Sequence, residues 1–411
     1  MKVVVLCPHF APDTAPTGTV MTGIVAGLAA RGHEVHVVTS LPWYRTHKIE
    51  SGWSGRLIRR EITEWGSITR VHPFPGGDKA NLLRRALGFI GFTALAGLAA
   101  LRPGGWFRKV DAVLSMSPPL TLGLTGWLVA KIRRGRFVFN IQDVFPDAAV
   151  KTGAITNPLI IRVASILERV SYRRSDVVTV LSDDLAENVN AKLSARAKSS
   201  TSVEVIPNFV DTELLAPADG TPYREELGLG NGPVVMYAGN LGFSQSIDLV
   251  IGLAEQRPHI SVVINGDGAM KDTARHAAER LNNLHYVGYQ PAERLAEVLS
   301  AADIHLVPLR AGLGSVSVPS KTYSILAVGR PVIAAIDNDS AISRLLADAN
   351  AGVSVPPDDV NALVGAVDRL VENEAERRKL GENGRRWVVE HASPASAAAA
   401  YERVLSGLHT G

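Results

Sequence analysis

The sequence predicts an α/β protein made of two doubly wound, Rossmann-like domains. Three observations carry that expectation. Short apolar runs alternate with helical stretches through both halves of the chain, the pattern of βαβ units in a parallel sheet. At 411 residues the chain exceeds what one hydrophobic core usually serves. Several apolar runs also lead directly into Gly-, Pro- or Ser-rich loops, and in open parallel sheets ligands bind outside the carboxyl ends of the strands.

In the first half the strands are expected at Lys2–Cys7, Glu34–Thr39, Ile68–Phe74, Asp111–Met116, Arg136–Ile141 and Asp176–Leu181, with Val203–Pro207 closing that half. Helices are expected near Thr19–Arg31, Leu120–Arg133, Asn157–Arg173 and Asp183–Leu193. Gly32-His33 stops the first helix, as glycine does where the backbone must turn left-handed. The Pro8 to Gly18 loop lacks the G-x-G-x-x-G spacing of a dinucleotide fingerprint, which argues against a nicotinamide or flavin enzyme. Gly18 still permits close approach of backbone to ligand. Gln142-Asp143, followed by Val144-Phe145-Pro146-Asp147, stands where a ligand-facing loop begins, and carboxylates there either bind hydroxyls or bases, or cap a helix through Asp147.

A polar connection up to Pro233 marks the boundary between the halves. Beyond it, strands are expected at Val234–Ala238, Ile260–Asn265, Leu284–Val287, Ile304–Pro308, Pro331–Ile336 and Gly352–Val355. Helices near Ile247–Glu255, Met270–Leu281, Glu293–Ala301, Ser320–Val328, Ala341–Ala347 and Val360–Asn373 separate them, and an alanine-rich helical tail runs from Glu374 to Leu408. The expected domains are residues 1–205 and 206–390, with 391–411 a helix packing back on the first.

The stretch from Ile304 to Ile336 is the most informative. An apolar run feeds a loop carrying Arg310, then Pro319-Ser320-Lys321 opens a helix that stops at Gly329. Ser320 is placed to cap the helix and Lys321 adds a full charge beside it, an arrangement suited to a phosphate or diphosphate.

Composition narrows the classes. Hydrophobic content of 46% and charged content of 20% describe an ordinary globular chain without low-complexity tracts. The single cysteine, Cys7, excludes a disulfide framework or thiolate metal cluster and fits a reducing cytoplasm. Met1-Lys2 and Val3–Leu6 read as the start of a strand and not as an export signal. Charge is uneven: residues 1–205 hold 26 Lys/Arg against 15 Asp/Glu, and residues 206–411 hold 17 against 25. The basic half points to an anionic surface or substrate. No nucleic-acid-binding pattern accompanies it, so nucleic acid is not an expected partner. Ala86–Leu101 is uncharged and mostly apolar, too short to span a bilayer, with Arg84, Arg85, Arg102, Arg108 and Lys109 near its ends and Trp106 and Phe107 beyond. It reads as an interfacial helix on an anionic leaflet, or else as a core helix.

A resemblance covers essentially the whole chain. Pro8-His9-Phe10-Ala11-Pro12 with Gly18, Arg31-Gly32-His33-Glu34-Val35, Ile206-Pro207-Asn208-Phe209-Val210-Asp211, Gly239-Asn240-Leu241-Gly242, Asn265-Gly266-Asp267-Gly268, Ala302-Asp303 and Pro319-Ser320-Lys321 through Gly329-Arg330-Pro331-Val332 resemble, in order, the retaining glycosyltransferases of family 4. These have the GT-B fold, two Rossmann-like domains facing across a cleft. The Gly239–Gly242 and Gln142–Asp147 variants are most similar to the branch of colanic-acid and N-acetyl-fucosaminyl transferases, which act on nucleotide-activated sugars at lipid-linked acceptors.

The resemblance implies an acceptor-binding first domain, a nucleotide-sugar-binding second domain and a cytoplasmic enzyme at the inner face of the cell membrane. It places Gly18 near the donor phosphates and the acceptor. Asn240 and Gln245 stand where many relatives carry Arg and Lys against the diphosphate, which leaves Lys321 and Arg310 to supply positive charge. Gln142, where several relatives have histidine, and Asp143 fall beside the reacting sugar. Gly266 and Tyr289 edge the nucleotide pocket. Of two glutamates that relatives place with seven residues between them, the second falls on Ser324 and the first on Val316. Catalysis is then expected to be electrostatic, with Lys321, Ser320 and loop N–H groups around Gly314 to Ser317 meeting the leaving phosphate. Neither a metal nor another cofactor is expected. Two other classes share these features: a UDP-sugar epimerase of the same fold, for which Asp13, Asp143 and Asp147 are the candidate carboxylates, and a binding or scaffold protein on a degenerate transferase fold.

Overall fold

The structure, a computed structural model, describes residues 1–45, 47–75, 82–151, 153, 155–194, 201–314 and 318–407. The chain divides into two compact units, Met1–Pro207 with Pro394–Gly411, and Asn208–Ser393.

Unit 1 is built on eight strands: β1 (Lys2–Leu6), β2 (Glu34–Ser40), β3 (Ile58–Thr63), β4 (Gly66–Val71), β5 (Ala112–Ser117), β6 (Arg136–Ile141), β7 (Val177–Val180) and β8 (Ser202–Val205). They lie in the order β3-β4-β2-β1-β5-β6-β7-β8. All pairings are parallel except β3 with β4. Helices α1 (Pro16–Ala30), α2 (Leu82–Ala100), α3 (Thr121–Arg133), α4 (Asp147–Lys151), α5 (Pro158–Arg174) and α6 (Asp183–Ser194) connect them. Val3–Leu6 and Val113–Leu114 are inaccessible because both faces of the central strands are covered, which is why Val3–Leu6 and Ala112–Leu114 read as apolar runs.

Unit 2 carries β9 (Val234–Ala238), β10 (Ser261–Asn265), β11 (Leu284–Val287), β12 (Ile304–Pro308), β13 (Val332–Ala335) and β14 (Gly352–Val355), all parallel, in the order β11-β10-β9-β12-β13-β14. Its helices are α7 (Thr221–Glu226), α8 (Ile247–Gln256), α9 (Lys271–Arg280), α10 (Leu295–Ser300), α11 (Lys321–Ala327), α12 (Ala341–Asp348), α13 (Val360–Glu372) and α14 (Glu374–His391). The core on one face of this sheet joins Val235, Tyr237, Ile264 and Ile333 to Leu253, Leu363 and Val367.

The expected helical tail consists of two helices. After α14 the chain breaks at Ala392-Ser393, and Pro394 opens α15 (Pro394–Gly407), which belongs to unit 1. Proline fits the first turn because its missing N–H would be unpaired there anyway. Tyr401 Oη accepts from Asn140 Nδ2 at 2.7 Å, and Glu402 pairs with Arg31 and His33. A β-carbon on Gly27 would lie inside the Ala398 side chain, so glycine is what lets α1 and α15 meet.

One strand, β3, escapes the sequence pattern. Ile58-Arg59-Arg60-Glu61-Ile62-Thr63 exposes Ile58 and Ile62 on a sheet edge and pairs antiparallel with β4, so it buries no continuous apolar face.

Candidate functional site

In unit 2 the chain passes from β9 to β10 on one side and later returns to β12 on the other. The carboxyl ends of β9 and β12 therefore flank the point where strand order reverses, the position at which open α/β sheets bind ligands. Two loops meet there: Gly239–Gln245 after β9, and the loop after β12, where Arg310 N donates to Ser244 O at 3.0 Å.

Lys321, the first residue of α11, points into this junction. Its Nζ donates to Tyr237 Oη at 2.7 Å and to Gln245 Oε1 at 3.1 Å, and lies 4.0 Å from the centroid of the Tyr237 ring. Tyr237 Oη in turn donates to the carbonyl of Asn240. Every partner is neutral, and among the described residues no carboxylate forms an ion pair with Lys321. Removal of water without a compensating anion pushes its ammonium down to about 7. Burial likewise holds the Tyr237 phenol well above its ordinary range, so it stays protonated. The arrangement is a buried amine that has no carboxylate partner among the described residues.

Glycine geometry makes the junction possible. Gly239 has φ +145° and its missing β-carbon would stand 3.2 Å from Lys321 Nζ. Gly266, at the end of β10, has φ +148°, and a β-carbon there would lie 1.9 Å from Gly239 O. A side chain is strained by conformation at both points, and at Gly266 space excludes it as well.

Around this cation the structure places the other expected residues unevenly. Gln245 touches Lys321, and Asn240 shares its loop but projects to the surface. Arg310 is exposed; Tyr289 is exposed, with its hydroxyl 3.4 Å from Asp267 O. Ser324, one turn into α11, is half-buried. The expectation that Ser320 caps α11 is corrected: Ser320 has helical backbone angles (φ −60°, ψ −22°) and its side chain makes no cap hydrogen bond. A capping side chain reaches its own helix N–H groups only from an extended backbone. Val316 and Ser317 lie outside the described residues.

In unit 1, Gln142 follows β6 and is 5% exposed; its Nε2 donates to Asn140 Oδ1 at 2.8 Å. Asp143 is exposed at the same strand end, while Asp147 opens α4 and pairs with Lys192 at 2.9 Å. Gly18 is buried in α1, where a β-carbon would come within 3.0 Å of His9 Cβ and 3.2 Å of His9 C. Its absent side chain thus seats α1 against the loop that follows β1.

Tyr237 was not singled out by sequence reasoning because it sits inside the apolar run Val234-Val235-Met236-Tyr237-Ala238 and reads as core. The available signal was the hydroxyl itself: a tyrosine next to a strand's carboxyl end needs a partner for it.

Two family models match the chain: "Glycosyl transferase 4-like domain" over residues 17–208 and "Glycosyl transferases group 1" over residues 221–387. Among curated proteins the chain is 26% identical over 382 residues to the putative colanic acid biosynthesis glycosyl transferase WcaI of Escherichia coli K12, covering 89% of this chain and 91% of that one. It is 28% identical over 348 residues to the probable glycosyltransferase WbjE of Pseudomonas aeruginosa, covering 77% and 84%. Among solved structures, sucrose-phosphate synthase of Thermosynechococcus elongatus superposes with TM-score 0.77 at 19% identity over both whole chains. Anabaena Alr3699/HepE in complex with UDP superposes with TM-score 0.67 at 15% identity, covering 99% of this chain and all of that one.

Proposed function

With the chain thus a member of the family 4-like glycosyltransferases of the GT-B fold, we propose that it transfers a sugar from a UDP-sugar to an acceptor hydroxyl with retention, in the assembly of an envelope polysaccharide or glycolipid. The observation that carries this reading is Lys321, a desolvated ammonium among neutral partners at the strand-order reversal of unit 2. Negative charge grows on the departing β-phosphate as the donor bond breaks. A preorganised cation there is stronger in the transition state than in the ground state. Gln245 and Tyr237 hold the ammonium while Asn240 and Arg310 reach the phosphates from the two loops. Tyr289 and Gly266 edge the nucleotide, and Ser324 meets the ribose. The description of WcaI as a colanic acid biosynthesis glycosyl transferase and the UDP of the HepE complex support the polysaccharide setting and the donor class.

The reading is tested by titrating UDP calorimetrically in buffers of different ionisation enthalpy. A diphosphate favours the charged amine, so it should raise the Lys321 pKa. Binding should take up almost no proton at pH 6, where the amine is already charged, and approach one proton near pH 8.5, with affinity falling as pH climbs above about 7. Proton-independent binding across that range would remove Lys321 from the diphosphate.

For the sugar itself we assign Gln142 and Asp143, at the carboxyl end of β6. Asp143→Asn is nearly isosteric and removes only the charge. A folded variant with kcat reduced and UDP affinity intact is the expected result; full activity would exclude an essential charge at that position.

The lipid-linked acceptor is approached, in this proposal, along the α2-α3-α5 side of unit 1. Among the described residues no helix is long and apolar enough to cross a membrane. Helix α2 is only in part an interfacial element: Phe92, Ala96 and Ala100 are core, while Ile90 and Leu98 are exposed. The broader apolar surface is on α5, where Leu159, Val163, Ile166 and Val170 recur at helical spacing in solvent. Arg162, Arg169, Arg173 and Arg174 are exposed beside them, and the helix's one acid, Glu168, is buried against Lys192. Apolar contact and anionic lipid then act together, each nearby arginine adding about 1 kcal/mol. In co-sedimentation the protein should pellet with anionic vesicles and much less with neutral ones, and Arg162→Glu with Arg169→Glu should release it. Retention of that double variant on anionic vesicles would exclude α5 as the contact.

A further inference from the structure

The loop after β1 in unit 1 holds a second constellation. His9 Nδ1 and Asp13 Oδ2 are 2.7 Å apart, and the Asp13 side chain is inaccessible while that of His9 keeps 12% of its surface. A carboxylate only accepts, so Nδ1 carries a proton, and in the neutral imidazole the lone pair is then on Nε2. Among the described residues Nε2 has no hydrogen-bond partner. Asp13 is itself oriented by its second oxygen, which accepts from Tyr44 N at 3.2 Å. The loop backbone is pinned on several sides. Ser40 Oγ donates to Pro8 O at 2.6 Å, Arg70 Nη2 donates to Ala11 O at 2.6 Å, and Ala11 N donates to Thr22 Oγ1 at 3.0 Å. Gly18 gives α1 its close approach to His9.

Aromatic rings stand around the imidazole. Trp43 stacks on it at 5.7 Å between centroids, and Tyr44, 41% exposed, meets it edge-on at 5.3 Å. These residues follow β2, the neighbour of β1 in the sheet, while β5 flanks β1 on its other side. His9 therefore stands at the carboxyl end of the strand beside which the order of unit 1 reverses. A lone pair of fixed tautomer, framed by aromatic faces at a strand-order reversal, fits a ring that carries hydroxyl groups. The hydroxyl donates to the nitrogen, and the apolar face of the ring lies against the indole and phenol.

We propose that His9 Nε2 accepts a hydrogen bond from a hydroxyl of a pyranoside, with Asp13 fixing the tautomer and Trp43 and Tyr44 walling the ring, so that this loop is the acceptor-recognition site of unit 1. The assignment rests on the transferase reading for calling the pyranoside an acceptor; the binding itself does not require it. His9 touches the ligand, and Asp13 is a positioning residue acting through it.

Saturation-transfer NMR on the full chain tests this, with methyl α-D-glucopyranoside, methyl α-D-mannopyranoside and methyl N-acetyl-α-D-glucosaminide as probes and glycerol as the open-chain control. A parallel thermal-shift arm uses UDP. At least one pyranoside should receive saturation at its ring protons and glycerol should not. His9→Ala and Asp13→Asn should each weaken that binding about tenfold, the loss expected when a buried polar group forfeits its partner. His9→Gln, which keeps an acceptor atom, should recover part of it, and the UDP shift should be unchanged in all three. Trp43→Leu provides the same reading should His9→Ala fold poorly. The proposal is overturned if none of the pyranosides binds the full chain, or if folded His9 and Trp43 variants bind as the parent does. Loss of the UDP shift in the parent chain would instead count against the donor reading and leave this one to its own arm.

Discussion

Lys321→Ala should lower turnover about a hundredfold or more while the fold survives, the size of effect seen when one preorganised transition-state donor is removed. The side chain contributes catalysis at a cost to stability. Its folded pKa, about 7, lies below the ordinary lysine value of 10.5. Unfolded chains therefore bind the extra proton between those values. Stability contributed by this group is present above about 10.5 and is lost as pH falls through about 7. At pH 6.5 the alanine variant should therefore be no less stable than the parent, and its urea midpoint should match or exceed it. A variant that is inactive and also markedly unstable would show that Lys321 is a structural prop. A stable variant with parental kcat would remove it from the chemistry. Lys321→Arg is not a conservative control, because a larger planar guanidinium with a fixed fork of donors replaces the compact ammonium that lies 4.0 Å from the Tyr237 ring centroid and donates to Tyr237 and Gln245.

The contrast between Lys321 and Tyr237 shows how much could be read from residue order alone. The buried parallel strands are legible because both their faces are covered, so Val3–Leu6 and Val332–Ala335 appear as unbroken apolar runs. Lys321 is legible because a charge follows a Gly/Ser/Pro loop at a strand end. Its partners are not. The tyrosine lies 84 positions away in a strand whose neighbours are all core, and only the parallel pairing of β9 with β12 brings it under α11. The β3 edge strand is illegible for the opposite reason, since charges occupy the positions that a covered strand fills with valine. His9 and Asp13 are visible as a motif but not as a dyad, because the short turn that brings them together depends on Arg70, on Thr22 and on the space left by Gly18.

Gly266→Ala should be the most damaging single-methyl change in the donor site. At φ +148° an L side chain is strained, and a β-carbon would sit 1.9 Å from Gly239 O, inside the contact distance of backbone atoms that have no freedom to rotate away. Gly239 N donates to Asn265 O at 2.9 Å, so the two strand ends would have to part and that ladder bond would lengthen. Strain and displacement together should cost about 3 kcal/mol or more, lowering the Tm of unit 2 by about 6–12 °C at its size. Function should fall further than stability. Displacing Gly239 moves the backbone that lies against Lys321 Nζ, so the UDP-dependent rise in Tm should largely vanish even where the variant is folded. Gly365→Ala is the matched control. Gly365 is exposed within α13, and nothing lies within 4 Å of the added methyl. There the greater helix propensity of alanine should stabilise by about 1 kcal/mol and leave nucleotide binding unchanged. A Gly266→Ala protein that keeps the parental Tm and the full UDP shift would mean that the β10 end yields freely, and that the close approach of Gly266 to Gly239 does not set the position of Lys321.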